Sequence, residues 1–189
     1  MNAVAPTKGA AADAYAFLID NLAKLLGTDR TREIDETVET VVTAKHVFVY
    51  GVGRSGLAAR AFAMRLVQLG IDCYFIGETI TPVVRDGDAV LIVSNTGATM
   101  SANQVANIAR RVGAKVISVT GVRGSKLSHA SNTVLLLQTN GGADQSRLAP
   151  LGTLFEDACL ILLDGIVAQV MERLRQTEAD MRGRHAIMV

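Results

Sequence analysis

The chain has 189 residues, 49% hydrophobic and 20% charged, which excludes a disordered chain and suits one domain with its own core. Nineteen basic against eighteen acidic residues leave a net charge of +1, so no general field draws the chain to nucleic acid or an anionic membrane. Two cysteines, Cys73 and Cys159, exclude a disulfide framework and a cysteine-rich zinc site, and aromatic residues at 4% with no Trp call for an aliphatic core.

Met1–Ala12 carries no apolar stretch of the signal-peptide kind. No run approaches the ~18 uncharged apolar residues of a membrane span. Leu154–Met171 is broken by Glu156, Asp157 and Asp164. A cytoplasmic protein is expected. The first 45 residues then read as two helices. Tyr15, Leu18, Ile19, Leu22, Leu25 and Leu26 share one face of Ala14–Leu26, and Gly27 stops it. Ile34, Val38, Val41 and Val42 share one face of Thr31–Ala44, whose first turn is acidic.

From His46 the pattern alternates between strand and helix. Strands are predicted at His46–Tyr50, Cys73–Ile76, Ala89–Val93, Lys115–Thr120 and Thr133–Leu137. Helices are predicted at Leu57–Leu69 and Ser101–Val112, each closed by a glycine, and at Leu154–Arg175. The last has apolar residues on more than one face and should be largely buried. Short apolar strands alternating with helices imply a parallel five-stranded sheet covered on both faces, an α/β three-layer αβα sandwich preceded by two helices. The whole of 1–189 reads as one unit. Residues 1–45 are N-terminal helices, 46–150 the sheet with its flanking helices, and 151–189 a C-terminal helix and tail. Gln138–Pro150 is the longest polar stretch, either a lid or a connector.

Two strand ends carry unusual chemistry. Gly51-Val52-Gly53-Arg54-Ser55-Gly56 and Ser94-Asn95-Thr96-Gly97-Ala98-Thr99 each close a strand and open a helix. That is the edge at which open α/β sheets bind ligands. The first matches G-x-G-x-x-G, which leaves a nicotinamide dinucleotide fold open, with Glu78 as its possible acidic partner. The second combines hydroxyls, an amide and a glycine with a helix N-terminus and has no acid. This composition suits a phosphate monoester, although a plain N-cap by Thr96 or Thr99 has the same residues.

With Phe62–Leu66 (FAMRL), Gly77–Pro82 (GETITP), Pro150–Glu156 (PLGTLFE) and Arg184–Ala186 (RHA) in order, the sequence resembles the sugar isomerase (SIS) family, and within it the 6-phospho-3-hexuloisomerases. The resemblance implies a cofactor-free, metal-free isomerase acting between 3-hexulose 6-phosphate and fructose 6-phosphate in ribulose monophosphate formaldehyde assimilation. It implies a homotetramer with sites at subunit interfaces. Glu156 is implied as the proton acceptor, and His185 as a second catalytic residue supplied by its own or a neighbouring subunit. Gly53, Ser55, Ser94, Asn95, Thr96, Gly97, Ala98 and Thr99 are assigned to the sugar phosphate, and Gly51 is expected to let backbone approach it. Arg54 either faces the ligand or pairs with an acid at a subunit contact. Thr79 and Thr81 either touch sugar hydroxyls or form a turn. Asn95 and Ala98 stand where the family commonly has Gly and Glu, with Asn95 expected to tolerate a left-handed turn. Ile187-Met188-Val189 replaces the usual Asn-Leu-Glu. These departures leave open an isomerase of another sugar phosphate or a non-catalytic sugar-phosphate sensor.

Overall fold

The computed structural model describes residues 9–139 and 142–187. Helices α1 (Ala10–Leu26) and α2 (Thr31–Thr43) precede β1 (Val47–Gly51), α3 (Arg54–Gln68) and β2 (Cys73–Phe75). Then follow β3 (Ala89–Val93), α4 (Met100–Arg111), β4 (Lys115–Thr120), the short α5 (Lys126–His129) and β5 (Thr133–Leu136). Helices α6 (Gly142–Leu148), α7 (Thr153–Arg173) and α8 (Glu178–Gly183) complete the chain. The five strands are parallel and ordered β2-β1-β3-β4-β5.

Alternation along each strand produces the three layers, because successive side chains leave a strand on opposite faces. Val47, Val49, Leu91, Val93, Ile117 and Val119 face the layer holding α3 and α7, and meet Phe62, Leu66, Phe155, Leu163 and Ile166. Phe48, Val90, Ile92 and Val116 face α4, which presents Ala102, Ala106 and Ala109. The small α4 side chains let that helix lie close to the sheet. The core is mostly aliphatic, with Phe48, Phe62 and Phe155 fully buried in it.

Helix α7 buries one long face, including Leu154, Phe155, Ala158, Cys159 and Leu162, against the sheet-side helices. The expectation that it is largely buried needs correction: Leu160, Ile161, Asp164 and Gly165 are exposed on its other side. The polar stretch 138–150 is a partly helical connector, with α6 packed on α1, and its residues 140–141 lie outside the described residues. The end of the C-terminal departure, Met188-Val189, lies outside them too, as does most of Met1–Ala12. Among the described residues no helix is long and apolar enough to cross a membrane.

The strand order places β1 and β3 side by side, with Gly51 in register with Val93. The chain runs from β1 outward to β2 and returns to β3 on the other side of β1. The crevice outside their carboxyl ends is the switch point at which a doubly wound sheet offers a binding site. Both unusual loops leave from these two strands.

Candidate active site

The first loop turns at Gly53, whose φ of 60° is a left-handed conformation that a side chain would strain. The turn delivers Arg54 and Ser55 into the first turn of α3, and Ser55 is buried. A Cβ on Gly51 would lie 2.8 Å from the Gly56 nitrogen, so a glycine there lets the strand end touch the helix backbone.

The second loop turns at Gly97, with φ 58°. The expectation that Asn95 supplies a left-handed residue is corrected, because the left-handed residue is Gly97. Asn95 is held by its backbone instead: its carbonyl accepts from the Gly121 amide at 2.8 Å and from Thr120 Oγ1 at 3.2 Å. Thr99 stands at the N-cap of α4, yet its side chain makes no cap hydrogen bond. Its hydroxyl lies 3.2 Å from the buried Ser94 Oγ. Thr96 Oγ1 accepts from the Ala98 amide at 3.2 Å. The plain N-cap reading therefore fails here, and the first amides of α4 have no side-chain cap. Ser94 and Thr99 line a cavity of about 130 Å³ together with Val52, Ser55, Thr96 and Ala102. Helix N-termini bring partial positive charge to this point from α3 and α4 together.

Helix α7 carries Glu156 to the same edge. Its side chain is only 14% exposed. Arg54 Nε donates to Glu156 Oε2 at 2.6 Å, and Arg54 Nη2 donates to Asp157 Oδ1 at 3.1 Å. Ser55 Oγ lies 3.5 Å from Glu156 Oε1. Arg54 thus pairs with two acids of its own chain. Ser55 both lines the small cavity and neighbours the carboxylate.

His185 does not join them within one protomer. It is exposed, with Nδ1 2.9 Å from the Ala186 carbonyl. Its neighbour Arg184 donates to the Gln68 carbonyl at 3.1 Å, at the C-terminal end of α3. Arg54 and Ser55 sit at the other end of that 15-residue helix, about 20 Å away at 1.5 Å per residue.

Other expectations resolve locally. Thr81 Oγ1 donates to the Phe75 and Glu78 carbonyls, both at 2.8 Å, so it forms a turn. Glu78 pairs with Arg60, whose guanidinium lies over the Phe75 ring. His46 Nδ1 lies 2.9 Å from the buried Asp88 carboxylate, at the opposite edge of the sheet. Four larger hollows are present among the described residues: those of about 670, 790 and 440 Å³ are lined by no candidate residue, and one of about 280 Å³ is lined in part by Glu78 and Thr81.

A family model described as the SIS domain matches residues 40–165. The chain belongs to the SIS domain family. A 3-hexulose-6-phosphate isomerase of Methanocaldococcus jannaschii is 36% identical over 153 residues, covering 81% of this chain and 82% of that protein. The crystal structure of a hypothetical protein from Methanococcus jannaschii, from which a 3-hexulose-6-phosphate isomerase function was inferred, superposes with a TM-score of 0.82 at 32% identity. It covers 94% of this chain and 98% of that one. A further hypothetical protein of known structure gives a TM-score of 0.90 at 34% identity over 94% of this chain and 97% of that one. The strand order is not the 3-2-1-4-5-6 of a dinucleotide fold, and the G-x-G-x-x-G match forms the turn between β1 and α3.

Two residues beside Glu156 escaped the sequence reading. Asp157 follows the candidate base directly and holds the second arm of Arg54. Gly152, inside PLGTLFE, lies under the Glu156 carboxylate, where a Cβ would come 2.9 Å from Oε1. A glycine four residues before a first-turn Glu was the available signal.

Proposed function

We propose that the chain is a sugar-phosphate isomerase that converts 3-hexulose 6-phosphate to fructose 6-phosphate without a cofactor, in ribulose monophosphate formaldehyde assimilation. One observation carries the reading. Ser55 lines the anion cavity and also lies 3.5 Å from the Glu156 carboxylate, so a phosphate site and a base are joined by one residue. The named relatives supply the substrate class.

The reaction moves a ketone from C3 to C2. Glu156 takes the C2 proton, the electrons pass into a 2,3-enediolate, and a proton is returned to C3. In the same step O2 loses a proton and O3 gains one. All atoms stay on the sugar, so the redox change is internal and no external oxidant enters. The hydroxyls of Ser55, Ser94, Thr96 and Thr99, with the amides around Gly53, Asn95, Gly97 and Ala98, hold the phosphate at the two helix N-termini. His185 manages the oxygen protons from a neighbouring subunit in a homotetramer. Its position near the far end of α3 supports supply in trans. Exposed Leu57 and Met64 on α3, with Leu160 and Ile161 on α7, offer apolar surface for subunit packing.

The test is incubation with fructose 6-phosphate in D2O with no added cofactor. Deuterium at C3 and appearance of the 3-ketose are expected. Glu156→Gln should lose roughly 10²–10⁴ in rate while inorganic phosphate still binds. Activity of that variant within about twofold of wild type sinks the assignment, since a positioned base is worth far more.

A further inference from the structure

We propose that Arg54 is a positioning residue for Glu156, and that Asp157 is the anchor which holds Arg54 in place. This inference rests on Glu156 being the proton acceptor. It adds a role for two residues whose contacts the fold alone does not require.

Adjacent residues on a helix point about 100° apart, so Glu156 and Asp157 leave α7 in different directions. A guanidinium is a planar fork, and its Nε and Nη2 donors reach both carboxylates at once, at 2.6 and 3.1 Å. A lysine offers one point charge and cannot span them with fixed geometry. The pairing has little to do with stability. The Arg54 side chain is 56% exposed, and exposed ion pairs contribute about 0–1 kcal/mol.

Orientation is a different matter. The terminal torsion of a glutamate is broad and roughly two-fold, so an unheld carboxylate samples many directions. Here Oε2 is engaged by Arg54, the underside is closed by Gly152, and Oε1 is left toward Ser55 and the anion cavity. The oxygen that Arg54 does not hold is therefore the one on the Ser55 side, where a sugar held by its phosphate would sit. Among the described residues, the hydrogen bonds of the Arg54 side chain go to Glu156 and Asp157.

The full chain tests this with four variants: Arg54→Met, Arg54→Lys, Asp157→Asn and the double variant Arg54→Met/Asp157→Asn. Two quantities are measured. One is kcat and KM for C3 deuterium exchange of fructose 6-phosphate, and the other is the Kd of inorganic phosphate by calorimetry. Arg54→Met should lower kcat by about 10²-fold, the usual effect of a misplaced reacting group. Its phosphate Kd should stay within about twofold of wild type, as for a site it does not touch. Arg54→Lys should recover part of kcat. Asp157→Asn should lower kcat less, and the double variant should be no slower than Arg54→Met, because the anchor acts only through the arginine.

Retained kcat with a weaker phosphate Kd makes Arg54 an anion ligand and overturns the inference. Unchanged kcat, or additive losses in the double variant, also overturn it. If Arg54→Met does not fold, Arg54→Lys and Asp157→Asn decide by the same kcat-against-Kd split. Glu156→Gln runs alongside. Full turnover in that variant removes the base assignment itself, whereas lost turnover there with full turnover in Arg54→Met removes only the positioning role. Wild-type chain that exchanges no deuterium removes both.

Discussion

Gly152 lies directly under the Glu156 carboxylate: a Cβ at position 152 would come within 2.9 Å of Oε1, 3.1 Å of Cδ and 3.3 Å of Oε2. Side chains on a helix tilt toward its N-terminus, so a Glu at the fourth position lies back over the residue that begins the helix. Only a residue without a side chain leaves that space. Gly152→Ala should push the carboxylate aside and lower kcat by one to two orders of magnitude, roughly the effect of a 1 Å displacement. The displaced group is the far end of a flexible side chain, so the melting temperature and the phosphate Kd should hardly change. A variant with normal kcat would show that the carboxylate needs no fixed position.

Gly51 and Gly56 give the opposite expectation. Each would place a Cβ against backbone: Gly51 against Gly56 N and Ser55 C and O at 2.8 Å, Gly56 against the Gly51 carbonyl at 2.6 Å. Backbone at a strand–helix junction cannot rotate away as a side chain does. Gly51→Ala should therefore cost about 3 kcal/mol, the upper end of ordinary overpacking. Urea titration should show this, with phosphate binding weakened in the folded fraction because Ser55 moves with the junction.

How far the sequence exposes this design depends on the distance over which each feature is determined. The strands were legible because runs such as Ala89–Val93 are apolar, short and bounded by turn residues. Helix α4 was legible from its period and from Gly113 behind it. The loop Ser94–Thr99 stood out because hydroxyls, an amide and a glycine follow an apolar strand there. Helix α6 was not, since GADQSRL has no apolar period. Helix α8 has a signal that was overlooked, the Thr177-x-x-Asp180 capping box just after the long helix. The pairing of Arg54 with Glu156 spans 102 positions and depends on which helix covers which strand. No local pattern encodes it. The anchoring of the tail at Gln68 is of the same kind, which is why His185 could not be assigned a location from the sequence.

The cysteines should be inert in the native protein. Burial pushes the Cys73 thiol up to about 12. Burial pushes Cys159 up as well, with the negative charge of Glu156 adding to it. The thiolate is the reactive form, so neither residue should react with Ellman's reagent at about pH 8 until the chain is denatured. Glu156→Gln should leave Cys159 unreactive, because burial is the larger cause. Rapid native labelling at Cys159 would contradict the packing of α7.

Acid should release α8 before it unfolds the sheet. The Thr177 hydroxyl, followed by its backbone amide, holds the Asp180 carboxyl below its ordinary 3.8. A carboxyl depressed in the folded state stabilises the fold above its unfolded value, and that stabilisation is lost as pH falls through the folded value. The window therefore opens at about pH 4 and extends downward. Asp180 is fully exposed, so the effect is local to the helix start. Amide exchange at Asp180 and Met181 should quicken through this range while exchange in β1 and β3 stays slow. Thr177→Val removes both the hydroxyl that accepts from the Asp180 amide at 3.3 Å and the donor to Asp180 Oδ2 at 2.6 Å. That variant should exchange fast at neutral pH, with little further change on acidification. Because α8 leads directly into Arg184 and His185, the same variant should lower turnover only if the tail must be presented as a formed helix. Loss of activity without loss of phosphate binding is the expected result, and normal activity would detach His185 from the reaction.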